Sequence, residues 1–203
     1  MRTLFLLTAG IIGYLSGSVS VAVILSRRVF GGDVREQGSG NAGATNVARV
    51  FGMRAGLITL VGDVLKTVLS MFLGGLLAGA EGSAAAGAAC MLGHCFPLFF
   101  QFRGGKGVSV GAAIAGYLDW RLIPIILVVF LVVYFCCRKV SLGSMLGAVT
   151  FPVTMFIFGG YPWFEFVLAG GVALLLIFQH RSNIRRLISG TESEFRPSEH
   201  KKP

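Results

Sequence analysis

The chain has 203 residues, of which 54% are hydrophobic and 13% charged, with 29 glycines, a formal net charge of +9 and a mean hydropathy of +0.77. So little charge cannot cover a soluble domain, which excludes water-soluble enzymes and points to a polytopic membrane protein. The positive balance can serve membrane topology, anionic lipid heads or an anionic substrate, whereas nucleic acid is excluded because the cations flank apolar segments instead of interleaving with exposed aromatics.

Apolar runs lie at about 4–26, 55–80, 83–100, 107–118, 122–137, 142–158 and 163–179. A helix needs roughly 17 to 25 residues to cross the hydrocarbon core, so the pattern predicts an all-α protein of about seven transmembrane helices, some short and the fourth marginal. The first run has no small-residue cleavage site and is followed by Arg27-Arg28, as suits a retained helix ending in the cytoplasm. The N-terminus is then outside and the C-terminus cytoplasmic, and segments 27–54, 101–106, 138–141 and 180–203 lie inside with fifteen of the eighteen Lys and Arg. Residues 1–192 read as one integral membrane catalytic domain, and 193–203 as a polar, unstructured tail.

In the first run Gly13 and Gly17 have the small-xxx-small spacing that lets helices approach closely, as do Gly75 and Gly79, Gly107 and Gly111, and Gly143 and Gly147. The first inside loop is the most polar part of the chain, Gly38-Ser39-Gly40-Asn41-Ala42-Gly43-Ala44-Thr45-Asn46-Val47-Ala48-Arg49. Its GxGxxG spacing follows an apolar helix without a βαβ unit, which rules out a dinucleotide site. The short hydroxyl and amide groups with Arg49 suit a phosphate, although any solvated loop also has Ser, Asn and Gly.

Asp63 and Lys66 share one face of the second helix, and Lys66 falls roughly 18 Å along from Arg54. Ionisable groups at that depth must pair or line a cavity, and an internal Asp63–Lys66 pair with a structural role is the favoured reading. The third run ends at His94, which reads either as an interfacial structural histidine or as part of a site. Beyond Pro97 comes Gly104-Gly105-Lys106-Gly107. Three glycines around a lysine can turn backbone N–H groups and an ammonium toward one anion, and a helix starting at Val108 would add its dipole. The bland reading is a flexible turn, and the Walker pattern is absent, since Phe100 and Gly107 stand where it needs glycine and Ser or Thr.

Arg138-Lys139 reads as a topology anchor, and Ser144 as a site group or a helix-to-helix hydrogen bond. In the tail His180, Asn183 and Leu187 share a helical face, which suits either a site or a basic helix on the membrane surface. Cys90, Cys95, Cys136 and Cys137 lack CxxC spacing and read as small hydrophobes; no metal and no cofactor are expected. The three polar clusters, at 38–49, 93–107 and 180–192, all fall on the predicted inner face.

Ser39-Gly40-Asn41-Ala42-Gly43-Ala44-Thr45-Asn46 with Arg49, Gly93-His94 through Pro97 to Gly104-Gly105-Lys106-Gly107-Val108, and His180-Arg181-Ser182-Asn183-Ile184 with Arg186-Leu187 and Gly190-Thr191-Glu192 resemble the three signature motifs of the bacterial acyl-phosphate:glycerol-3-phosphate acyltransferase family. Asp63-Val64-Leu65-Lys66 also matches, while Thr67 and Ser109-Val110 depart from the common pattern. The resemblance implies an enzyme of the bacterial cytoplasmic (inner) membrane. It would transfer a fatty acyl group from acyl phosphate to the 1-hydroxyl of sn-glycerol 3-phosphate, giving lysophosphatidic acid and phosphate. Membrane lipid and the soluble enzyme that makes acyl phosphate are expected partners, and a monomer is expected.

Neither His94 nor His180 begins an H-x4-D motif, because Phe99 and Arg185 stand five residues on, so a substrate phosphate is the expected proton acceptor, helped by Ser39 or His180. Arg49 is assigned to the oxyanion and the leaving phosphate, and Gly104, Gly105, Lys106 and Gly107 to glycerol phosphate. Asn183 would orient an oxygen. Gly40, Asn41, Thr45 and Asn46 are assigned to the donor phosphate, Ser144 to substrate, and Glu192 to structural support. The rival readings are a transporter of a phosphorylated anion, disfavoured because no internal repeat is visible, and a metal-dependent lipid-head transferase, which would need a carboxylate cluster.

Overall fold

In the computed structural model residues 1–195 are described, and within them the chain is helical with no strand. The expected polar tail lies outside the described residues from 196 onward. Nine α-helices follow one another among the described residues: α1 (Arg2–Ser18), α2 (Val21–Val29), α3 (Ala44–Phe51), α4 (Met53–Cys95), α5 (Val108–Leu118), α6 (Leu122–Cys137), α7 (Val140–Phe158), α8 (Trp163–Gln179) and α9 (Arg181–Ile188). Among the described residues three stretches are long and apolar enough to cross a membrane: Arg2–Val29, Met53–Phe100 and Val140–Phe158. A fourth, α8 with α9, qualifies only as a pair bent by 56°. The helices α5 and α6 are shorter apolar rods, of 11 and 16 residues, and the fourth run, expected to be marginal, is the shorter of the two.

The chain departs from the apolar runs where a helix breaks. The first run is interrupted at Val19–Ser20, and Ser20 caps the start of α2 by accepting a bond from Val23 N–H. The long α4 reverses at Ala78–Gly79, slightly before the gap expected between 80 and 83, because Gly79 adopts φ +62, a conformation cheap only without a Cβ. Its two arms then run back to back, with Ser83 Oγ donating to the Met71 carbonyl at 2.9 Å. Gly79 is thus a turn residue and not a packing residue.

Small residues set the closest helix contacts. A Cβ on Gly13 or Gly17 of α1 would collide with the backbone of Ala86 or Cys90 in the second arm of α4, and one on Gly93 would strike Tyr14. Without a hydrophobic drive between lipid-bathed helices, such close approach is how the bundle gains van der Waals contact. One buried cluster, including Met91, Ile114, Phe151, Met155 and Leu176, joins α4, α5, α7 and α8. A smaller one, with Val23, Val34, Val47 and Ala55, seats the first polar loop against α2 and α4. Leu65, Leu76, Phe135, Phe156 and Leu174 are exposed, as befits lipid-facing positions.

Candidate active site

Two loops and the C-terminal segment are tied together at one end of the bundle. In the first loop Asp33 accepts from Arg35 N–H at 2.9 Å and pairs with both Arg35 (2.8 Å) and Arg27 (2.9 Å). Arg35 is 8% exposed and also donates to the Phe100 carbonyl at 2.7 Å, fastening the first loop to the second. The buried amide of Asn46 then gathers the first loop around itself. Its nitrogen donates toward the carbonyls of Val34, Gln37 and Asn41, and its oxygen accepts from Ser39 N–H at 2.8 Å. This corrects the expected role of Asn46 as a phosphate ligand, since its hydrogen-bonding capacity is spent on the loop.

In the second loop Gly105 N–H donates to the His94 carbonyl at 3.0 Å, and a Cβ on Gly104 or Gly105 would collide with His94. These two glycines therefore allow close packing on His94 and do not line the cavity, contrary to the expectation of an anion cradle from all three glycines. The cradle is displaced toward Lys106, Gly107, Val108 and Ser109, where α5 begins as expected and its first N–H groups lack intrahelical acceptors.

These elements enclose a cavity of about 640 Å³. Ser39, Asn41, Thr45, Asn46, Arg49, Lys106, Gly107, Ser144, His180, Asn183 and Glu192, all singled out in the sequence, line it, whereas Gly40, Gly104 and Gly105 do not. The side chains of Ser39, Asn41, Thr45 and Arg49 have no hydrogen bond or ion pair among the described residues. Thr45 and Arg49 are four residues apart on α3, so both can reach the cavity while Val47 and Ala48 are buried. Ser144 lines the cavity but donates its hydroxyl to the Val140 carbonyl four residues earlier, leaving only lone pairs to offer.

The third segment is organised by Glu192. One carboxylate oxygen accepts from Ser141 Oγ and Asn183 Nδ2, each at 2.6 Å, and the other from Arg186 Nε at 2.7 Å. Lys139 donates to the Glu192 carbonyl. Burial opposes ionisation, but the bonds from Ser141, Asn183 and Arg186 prevail and hold the carboxyl below its usual range. Asn183 passes this order on to Lys106, whose ammonium donates to Asn183 Oδ1. Burial, then the Arg186 charge, push Lys106 down to about 8, with Glu192 opposing and Arg49 adding to the shift. His180 is 3% exposed and its Nδ1 lies 2.8 Å from the Leu176 carbonyl. A carbonyl only accepts, so Nδ1 carries the hydrogen and Nε2 keeps a lone pair.

Arg186, Ser141, Ser109 and residues 193–195 also line the cavity and were not assigned there from sequence. Ser141 and Ser109 look like ordinary helix-start residues, and only the Glu192 and Asp63 contacts mark them out. Behind the cavity Asp63 and Lys66 form the expected ion pair, at 2.9 Å. Lys66 Nζ also donates to the carbonyls of Gly17 (3.2 Å) and Val19 (2.9 Å), groups freed by the break between α1 and α2. Among the described residues no group of three or more His, Cys, Asp or Glu is placed to hold a metal ion.

Chemically, the cavity combines unpartnered hydroxyls, amides, cations and helix-terminal N–H groups, a set suited to phosphate oxygens. Residues 7–190 match the family model described as glycerol-3-phosphate acyltransferase. A relative of that name from Thermoanaerobacter pseudethanolicus is 41% identical over 191 residues, covering 94% of this chain and 96% of the relative. One from Finegoldia magna is 35% identical over 194 residues, covering 96% and 98%. Two crystal structures of PlsY (YgiH), an integral membrane glycerol 3-phosphate acyltransferase, are similar along nearly the whole chain. Its glycerol 3-phosphate form has a TM-score of 0.88 at 32% identity, covering 94% of this chain and 96% of that one. The lysophosphatidic acid form has 0.85 at 31%, covering 94% and 95%.

Proposed function

The chain belongs to the glycerol-3-phosphate acyltransferase family and is an integral membrane acyltransferase. From that premise we propose that it moves a fatty acyl group from acyl phosphate to the 1-hydroxyl of sn-glycerol 3-phosphate. The products are lysophosphatidic acid and inorganic phosphate, the species named for the two related crystal forms being glycerol 3-phosphate and lysophosphatidic acid. The observation that carries the reading is a single cavity in which Arg49, with no counter-ion among the described residues, stands beside Lys106 and the Glu192-paired Arg186. Two phosphorylated substrates bring about four negative charges together, and Arg49, Lys106 and the N–H groups opening α5 offset part of that charge.

Acyl phosphate is a mixed anhydride with a good leaving group, so orientation and charge stabilisation can supply most of the catalysis. Arg49 faces the acyl phosphate with Ser39, Asn41 and Thr45, and stabilises both the carbonyl oxyanion and the departing phosphate. Lys106 and the N–H groups opening α5 hold glycerol phosphate. The His180 Nε2 lone pair accepts a hydrogen bond from the attacking hydroxyl and orients it. His180 Nδ1 faces a backbone carbonyl and not a carboxylate, so a phosphate oxygen takes the proton as the hydroxyl oxygen bonds to the acyl carbon. The bond from carbon to phosphate oxygen breaks, and the proton leaves with the phosphate. Asn46 and Glu192 position these groups, and Asn183, held by Glu192, orients Lys106 and an oxygen of the substrate.

The apolar segments, with the two arms of α4 counted separately, are read as seven crossings with the N-terminus outside. This puts the cavity on the cytoplasmic face of the bacterial inner membrane, next to a soluble source of acyl phosphate. The reading is supported by residues from all four predicted inner segments lining the one cavity. Purified protein offered acyl phosphate, acyl-CoA and acyl carrier protein thioester separately with glycerol 3-phosphate tests it. Lysophosphatidic acid should form from acyl phosphate alone; formation from a thioester without acyl phosphate would refute the donor assignment.

A further inference from the structure

The proposed mechanism leaves one buried histidine unused. His94 is 6% exposed, at the inner end of α4, and it lines the cavity next to Lys106, Gly107 and Ser109. Its Nδ1 lies 3.2 Å from Lys66 Nζ. An ammonium has only hydrogens to offer, so an Nδ1–H aimed at it would set two donors head to head, and the geometry favours the lone pair on Nδ1. Asp63 Oδ1 lies farther from this edge, 3.6 Å from Nδ1, and itself accepts from Lys66 at 2.9 Å, so Lys66 is the nearer neighbour of Nδ1. The neutral ring therefore carries its hydrogen on Nε2.

That hydrogen has no acceptor among the described residues. No fully buried side-chain nitrogen or oxygen there lacks a partner, so Nε2 must be open, and the space that His94 borders is the cavity. Nε2 also sits directly over Gly105, where a Cβ would collide with it. The same ion pair orients the other side of the cradle, since Ser109 Oγ donates to Asp63 Oδ2 at 2.9 Å. The membrane-embedded Asp63–Lys66 pair thus fixes the tautomer of one cavity group and the hydroxyl direction of another.

We propose that His94 is a substrate-binding residue whose Nε2–H, directed by Lys66, donates to a phosphate oxygen of glycerol 3-phosphate seated on the Lys106–Ser109 cradle. This rests on the reading of that cradle as the glycerol phosphate subsite. The two histidines then have complementary tasks, His94 giving a hydrogen to the anion and His180 offering a lone pair to the hydroxyl.

Glutamine can place an amide N–H close to the Nε2 position, whereas asparagine reaches only as far as Nδ1. Titrating glycerol 3-phosphate into the purified full-length protein by calorimetry, His94→Gln should bind within about threefold of wild type and His94→Asn about tenfold more weakly, as for one charge-assisted bond. The KM for acyl phosphate should not move in either variant. Equal affinity in the two variants, or a change confined to acyl phosphate, would overturn the assignment. If either variant fails to fold, 15N-histidine NMR of the wild type decides: His94 must show the Nε2–H tautomer and respond to glycerol 3-phosphate, and an Nδ1–H tautomer or a silent resonance overturns the proposal. Lys106→Met separates the layers. Unchanged glycerol 3-phosphate affinity there refutes the cradle, while weakened affinity together with equal His94 variants refutes only the role of His94.

Discussion

Two lysines in and behind the cavity are both withdrawn from water, and they are treated in opposite ways. Lys66, 8% exposed at its side chain, has a carboxylate, two free carbonyls and an imidazole nitrogen around it. Among the described residues Lys106 is given only the neutral oxygen of Asn183 by hydrogen bond, with the cations of Arg49 and Arg186 close enough to depress its pKa. The same contrast separates Arg35, bound by Asp33 and a carbonyl, from Arg49, which has neither hydrogen bond nor ion pair among the described residues. Compensated charge ties the loops of this protein together, whereas the charge left uncompensated among the described residues is what the proposed mechanism assigns to an anionic substrate.

Breaking each side of the contrast should give a different kind of failure. Arg49→Ala should lower turnover by about 10³-fold, the scale for losing a group aimed at developing charge, while leaving the thermal midpoint within about 2 °C. A steady-state assay alongside a melting curve checks both parts. Lys66→Met should act the other way round, losing about 3 kcal/mol of stability because Asp63 is left as a buried, unpaired charge. Adding Asp63→Leu to it should recover part of that loss in the same unfolding experiment.

Asn46→Ala tests the loop scaffold. It should cost about 2 kcal/mol, since buried carbonyls lose their donor, and raise the KM for acyl phosphate by loosening Ser39 and Asn41. The smallest effect concerns pH. Only the ammonium form of Lys106 binds phosphate, and its pKa in the empty site is lowered to about 8, so the cation is present at pH 7 and lost as pH rises through 8. Values of kcat/KM for glycerol 3-phosphate should therefore fall about tenfold per unit above that pH, and Lys106→Arg should flatten the limb.

Much of the cavity lining was legible in the sequence because its residue types are rare in an apolar chain. Ser39, Arg49, Lys106, His180 and Asn183 stand out against lipid-like surroundings, and all line one cavity. What the sequence could not reveal was which polar groups are already spent. Asn46 looks as available as Asn41 until three carbonyls are found around its amide. Gly104 and Gly105 look like an open cradle until His94 is found packed against them. Arg186 and Ser141 enter through Glu192, a contact across 51 residues in the case of Ser141 that no local spacing announces. Most helices follow the apolar runs, but the break at Val19–Ser20 depends on Lys66 reaching its carbonyls, and that too is tertiary.

The central claim is that one cationic cavity accepts two phosphates at once. It is tested most directly by titrating glycerol 3-phosphate, by calorimetry, into purified protein saturated with an unreactive acyl phosphonate. Binding should persist at one glycerol 3-phosphate per chain. Exclusion of glycerol 3-phosphate by the phosphonate would mean that the unpaired cations form a single phosphate site, and the account would be wrong.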